Sequence, residues 1–228
     1  MKQVSYKKGI NSMSLKLLLI RIDHFFTERV NHWIEQLRYG KQVDFSIPGE
    51  GYGDKKGYIH YQATVFVNYK LIKSLPISFE DSILDIGCGK GKMVFYFSRL
   101  GFGKSDGIEF STELAGCAEK NMKILNRNSA VINIDATEFD GYGEYNFFYF
   151  FNPFGKETMR LVMERIKESC VQNPRKVTII YCNPLCHQQI VESGFFHMVY
   201  SDENFYRRIT GRIINIYSNE AVHTKYRK

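Results

Sequence analysis

The densest concentration of chemistry in this sequence is one run of eight residues, Asp85-Ile86-Gly87-Cys88-Gly89-Lys90-Gly91-Lys92. Glycines at alternate positions let a backbone turn sharply and let a ligand approach the main chain. The apolar residues before the run read as a strand and those after it as a helix. A helix N-terminus offers unpaired N–H groups and a partial positive charge. Such a turn suits a carboxylate, a phosphate or a ribose. The spacing narrows the choice. A dinucleotide fingerprint is G-x-G-x-x-G, whereas here the third glycine stands one position early and an acid opens the run. A phosphate loop of the Gly-Lys-Ser/Thr kind is excluded, because Gly91-Lys92-Met93 lacks the hydroxyl that holds magnesium. Four more polar or aromatic residues fall where later strands should end: Glu109, Asp135 (followed by Ala136), Asn152 and Phe154.

The elements that must position these residues alternate along the chain. Strands are predicted at 82–86, 105–109, 130–134, 145–151 and 176–182, and helices at 92–100, 112–126, 156–169 and 185–192. Alternation of this kind implies a parallel sheet covered on both faces, and the near-continuous apolar strands agree with it. Two last strand-like segments, 195–200 and 209–217, have no helix between them, so they run antiparallel. Upstream, Leu15, Leu18, Ile22, Phe26, Val30, Trp33 and Leu37 recur at steps of three and four and predict one amphipathic helix stopping at Gly40. Residues 44–60 include Pro48-Gly49-Glu50-Gly51-Tyr52-Gly53-Asp54, which reads as a loop or lid. A short helix is expected over 64–75, before Pro76. The expected organisation is a helical segment over 1–43, the loop over 44–60 and one domain over 61–228.

A D-x-G-x-G-x-G turn after the first strand resembles motif I of the class I S-adenosylmethionine-dependent methyltransferases, in a form similar to uncharacterised bacterial members, and the likeness runs through about residues 61–218. It implies an α/β, Rossmann-like seven-stranded sheet, mostly parallel with an antiparallel C-terminal hairpin, carrying an N-terminal helical appendage. It also implies S-adenosyl-L-methionine as cofactor. By the resemblance Asp85, Gly87, Gly89 and Gly91 cradle the cofactor, and Glu109 holds both ribose hydroxyls, a diol that suits a carboxylate with two acceptor oxygens. Asp135 and Ala136 then lie near the adenine, and Tyr61 and Thr64 near the methionine end. Asn152-Pro153-Phe154 resembles the Asn/Asp-Pro-Pro-Tyr/Phe segment of amino-group methyltransferases, with one proline in place of two. There an Asn oxygen accepts hydrogen bonds from the target amine and an aromatic ring stacks on it, so Asn152 and Phe154 are the expected acceptor-side residues. The resemblance leaves the acceptor open between a small molecule or glycan, methylated on an amine or amide nitrogen among other atoms, a protein lysine and a nucleic acid. A non-catalytic module that keeps the cofactor is the reading from outside enzymology.

Composition bounds these readings. The chain has 228 residues, 44% of them hydrophobic and 34 aromatic, enough for a substantial core and incompatible with whole-chain disorder. Its formal charge of +7 is unevenly spread. Residues 1–45 carry 8 Lys/Arg against 4 Asp/Glu, and residues 207–228 carry 6 against 1, whereas residues 46–206 carry 17 against 19. An extensive nucleic-acid groove around the chemistry is therefore not expected. The basic ends offer weak docking for nucleic acid or anionic lipid, and the 15–37 helix offers a face for self-association. The apolar run 17–20 is too short for a secretory core, and no stretch reaches membrane-spanning length, so a cytoplasmic location is expected. Five cysteines then read as reduced, buried small hydrophobes, without a second ligand pair to make Cys182 and Cys186 a zinc site.

Overall fold

The computed structural model describes residues 30, 33–46, 71–204 and 213–220. The first strands are β1 (Ser82–Ile86), β2 (Lys104–Glu109), β3 (Val131–Asn133), β4 (Phe147–Phe151) and β5 (Thr178–Cys182). The last two are β6 (His197–Ser201) and β7 (Ile214–Ser218). Helices α1 (Lys92–Phe97), α2 (Thr112–Ile124), α3 (Lys156–Gln172) and α4 (His187–Val191) connect them. The strands form one seven-stranded sheet in the order β3-β2-β1-β4-β5-β7-β6. β1 to β5 pair in parallel, and β7 pairs antiparallel with both β5 and β6. The expected antiparallel ending is thus present, with the last strand inserted between its two neighbours rather than at the rim.

Strand alternation decides what each face buries. Leu84, Ile86, Phe148, Phe150, Ile179, Tyr181 and Tyr217 share one face with apolar residues of α3 and α4. Ile83, Phe147, Tyr149, Ile180, Cys182, Ile214 and Ile216 share the other, under Met93 and Phe97 of α1 and Ile72 and Leu75 of the preceding helical turn. β4 reads Phe-Phe-Tyr-Phe-Phe because both its faces are covered. The helix expected over 92–100 ends at Phe97. Ser98 turns its hydroxyl back onto the Phe95 carbonyl (2.8 Å), and Arg99 and Leu100 close tighter three-residue bonds before Gly101. At the far end of α3, Arg175 donates to the carbonyls of Ser169, Tyr142 and Tyr145, satisfying groups that a helix end leaves open.

Residues 33–39 are helical, which is the described end of the helix expected over 15–37. Beyond Gly40 the chain crosses the domain. Val43 and Phe45 are buried with Cys88, Val94, Phe95 and Met122, and the Phe45 and Phe95 rings stack at 5.9 Å. All five cysteines are free, and all except Cys117 are buried. No helix among the described residues is long and apolar enough to cross a membrane.

Candidate functional site at the carboxyl edge of the sheet

β1 delivers Asp85 to the carboxyl edge, and the chain then turns at Gly87 with φ 78°. A side chain there is disfavoured twice. The backbone is left-handed, and an added Cβ would lie 2.8 Å from the Pro153 Cβ. The glycine turn and the Asn152-Pro153-Phe154 segment are therefore in contact. The N–H groups of Gly87 and Cys88 both donate to the Ile108 carbonyl, at 2.9 and 3.0 Å, which ties the turn to β2. Gly91 (φ 77°) opens α1, where an added Cβ would meet the Ala118 Cβ of α2 at 3.0 Å.

Glu109 ends β2 and reaches back over this turn. One carboxylate oxygen accepts from the Gly89 N–H (2.8 Å) and the other from the Ser111 N–H (2.9 Å). Burial pushes its carboxyl above the usual carboxylate range, against the pull of the Ser111, Gly89 and Phe110 N–H groups. Asp85 is more strongly affected. Burial raises it well above the ordinary range, the charge of Glu109 adds to the effect, and nothing offsets either. Cys88, between them, has its thiol pushed well up by burial and then by Asp85 and Glu109, so it stays protonated.

Sequence reasoning missed what becomes of the turn's two lysines. Lys90 Nζ lies 2.7 Å from Asp44 Oδ2 and 3.1 Å from Ser46 Oγ. Burial raises the Asp44 carboxyl, but hydrogen bonds from Lys90 and Ser46 outweigh it and hold the group below its ordinary value. Lys92 Nζ lies 2.7 Å from Glu35 Oε1, with both side chains nearly buried. Asn121 of α2 completes the join. Its amide nitrogen donates to the carbonyls of Asp44 (2.8 Å) and Lys90 (2.9 Å), and its oxygen accepts from the Asp44 N–H (3.0 Å). The N-terminal segment thus pairs both ammonium groups, leaving two carboxyls at the turn. No local pattern in the sequence pairs Glu35 and Asp44 with residues some fifty positions away.

The remaining expected residues divide. Asp135 stands two residues past β3, whose end is held beside Glu109 by the Ile134 N–H donating to the Glu109 carbonyl (3.1 Å). Its Oδ1 accepts from the Thr137 N–H (2.8 Å) and hydroxyl (2.7 Å) and so starts a turn. Ala136 is buried, and its carbonyl accepts from Tyr142 (2.7 Å). Asn152 follows β4 with φ 44° and is 2% exposed. Its Oδ1 accepts from the Tyr181 hydroxyl (3.1 Å), which itself accepts from the Cys186 N–H (3.2 Å). Phe154 is a correction. Its ring is 2% exposed and packs with Phe150 in the core, so it offers no face for stacking an acceptor. The pattern put it one position beyond Pro153, but the chain there has already turned inward. Tyr61, Thr64 and residues 47–60 lie outside the described residues. Among the described residues no cluster could hold a metal ion.

No protein-family model matches the chain, and no curated protein matches it. Solved structures do. One, from work on conversion of a disulfide bond into a thioacetal group during echinomycin biosynthesis, aligns with TM-score 0.55 and 11% identity over 82% of this chain and 91% of that one. The tRNA (uracil-54, C5)-methyltransferase of Pyrococcus abyssi, in complex with S-adenosyl-L-homocysteine, aligns with TM-score 0.52 and 15% identity over 69% of this chain and 39% of its own. An RNA methyltransferase of Salinibacter ruber, also with S-adenosyl-L-homocysteine, aligns with TM-score 0.50 and 13% identity over 74% of this chain and all of its own. What the chain shares with these structures is the fold, an α/β, Rossmann-like sheet of seven strands that is mostly parallel with an antiparallel C-terminal hairpin.

Proposed function

We propose that this chain is an S-adenosyl-L-methionine-dependent methyltransferase. The observation that carries the reading is the charge of the glycine turn. Asp85 leads into it and Glu109 accepts from its Gly89 N–H, while Lys90 and Lys92 are paired with Asp44 and Glu35. Such a cradle disfavours a polyphosphate and suits a ligand with a cationic sulfonium and ammonium. Two of the similar structures, each described as a methyltransferase, are complexes with S-adenosyl-L-homocysteine.

When bound, the cofactor supplies a methyl group on a good leaving group. Asp85 and the turn would hold the cofactor's amino-acid end, Glu109 its ribose and the Asp135–Ala136 turn its adenine side. Asn152 stands at the acceptor side, beyond the Gly87–Pro153 contact. The residues of the carboxyl edge align and desolvate, which is most of what such a transfer asks of a protein.

The acceptor we favour is a small molecule or glycan, because residues 46–206 carry no excess of basic charge. A nucleic-acid acceptor is the second reading, favoured by the RNA substrates of two similar structures and by the basic ends of the chain. Methyl-labelled cofactor incubated with a lysate of the producing organism separates the two. Label in the small-molecule or glycan fraction supports the first reading, and label in RNA or DNA replaces it with the second. Titration calorimetry with S-adenosyl-L-homocysteine tests the cofactor directly, and absence of binding refutes the proposal.

A further inference from the structure

β4 and β5 are neighbours, and both end in the same dipeptide. Phe151-Asn152-Pro153 leaves β4 and Cys182-Asn183-Pro184 leaves β5. The last paired residues are Phe151 and Cys182, so Asn152 and Asn183 each follow directly on the last rung that the two strands share. Both adopt left-handed backbone, with φ 44° and 51°. The third such residue, Asn126, closes the end of α2, where this conformation is a common way to stop a helix. The two at the strand ends have no such reason. Strained backbone of this kind is retained where the surroundings over-determine it, and that happens often at binding sites.

The two amides differ in their freedom. The Asn152 oxygen already accepts from Tyr181. Burial keeps the Tyr181 hydroxyl protonated, and its oxygen accepts from the Cys186 backbone, so the direction of this relay is fixed. Asn183 is half-buried. Its backbone is pinned by its N–H to the Ile213 carbonyl (2.8 Å) and by its carbonyl to the Leu185 N–H (2.8 Å). No hydrogen bond from its side-chain amide to a described residue exists, and exposed Leu185 stands beside it. A rigid backbone carrying an unengaged amide at the carboxyl edge is the arrangement of a recognition group.

We propose that Asn183 is an acceptor-recognition residue, its half-buried, unengaged amide receiving a planar polar group such as a carboxamide at the edge where β4 and β5 end. The proposal rests on the methyltransferase reading and names a side chain that meets the acceptor. Asn183→Gly tests it, because glycine accepts φ 51° without strain and removes only the amide. The variant should melt at or above the wild-type temperature and bind S-adenosyl-L-homocysteine within about twofold of wild type. Transfer of labelled methyl to the lysate fraction that the wild type labels should fall about tenfold or more. A purely structural asparagine predicts no such loss, and wild-type transfer by Asn183→Gly overturns the proposal. A second measurement needs no natural acceptor. Acetamide titrated into the S-adenosyl-L-homocysteine complex should shift the Asn183 side-chain NH2 resonances in 1H–15N spectra, and unmoved resonances count against the role. Failure of the wild type to bind S-adenosyl-L-homocysteine is a different result, which removes the cofactor reading itself.

Discussion

Asp85 is a buried carboxyl whose charged form is disfavoured first by burial and then by the charge of Glu109. Its raised pKa has a defined consequence for stability. The favourable contribution is complete below the unfolded value near 3.8 and is lost as pH rises through the folded value. Above that, the protein carries a destabilising charge that a cationic ligand relieves. Asp85→Asn should therefore raise the melting temperature at neutral pH, by about 2–4 °C for each kcal/mol gained, and weaken S-adenosyl-L-homocysteine binding. Calorimetry across pH, in buffers of different ionisation enthalpy, should also show binding by the wild type tighten as pH rises through the raised Asp85 value, with proton release in that range. A pH-independent affinity rejects this account. Glu109→Ala should weaken binding by about 1–3 kcal/mol, since it removes two hydrogen-bond acceptors. Gly87→Ala combines a left-handed backbone with a 2.8 Å approach to Pro153, so loss of both melting temperature and affinity is expected in denaturation and binding assays. At this scale the places of the turn and Glu109 at the carboxyl edge of the sheet were legible, because spacing and strand order suffice to find them. Phe154 was not, since identity alone does not say whether a ring faces the core or an acceptor. Asn183 was visible as a repeat of Asn152-Pro153, but its meaning required the knowledge that β4 and β5 are neighbours.

Between the elements, the join from the N-terminal segment to the glycine turn is the feature that strand and helix periodicity could not foretell. Glu35 sits on the helical residues 33–39 and Lys92 on α1, and their carboxylate and ammonium are taken out of water together. Removing one partner leaves an uncompensated buried charge, which costs about 3–5 kcal/mol. Lys92→Met alone should thus destabilise strongly, and Glu35→Leu with Lys92→Met should recover much of the loss in a denaturant-unfolding cycle. Additive losses contradict the pairing. The alternating elements themselves were readable to within a few residues, because β4 and β5 are apolar on both faces and the helices carry one buried stripe. The insertion of β7 between β5 and β6 was not readable. Two strands joined by a loop say only that they are antiparallel, and the neighbour chosen depends on which apolar face finds the core.

For the molecule as a whole, the positive charge lies at the two ends of the chain, and the domain between them is close to neutral. Helix residues 33–39 bury Glu35 while Trp33 and Leu37 stand 63% and 68% exposed, so these two members of the apolar stripe are not spent on the domain's own core. The loop over 44–60 is proposed as a lid from its composition. Deleting residues 49–54 should lower turnover while thermal melting is preserved, and an unchanged rate removes the idea. The Lys90–Asp44 and Lys92–Glu35 pairs also bear on how the protein is cut. A shortened chain that starts at residue 61 keeps every residue of the glycine turn but discards both counter-anions. Its turn would then carry two idle ammonium groups beside Asp85 and Glu109. The same strand, glycines and helix would keep Asp85 and Glu109 but lose the balance of charge around them, which is in this sense set some fifty residues upstream of the turn.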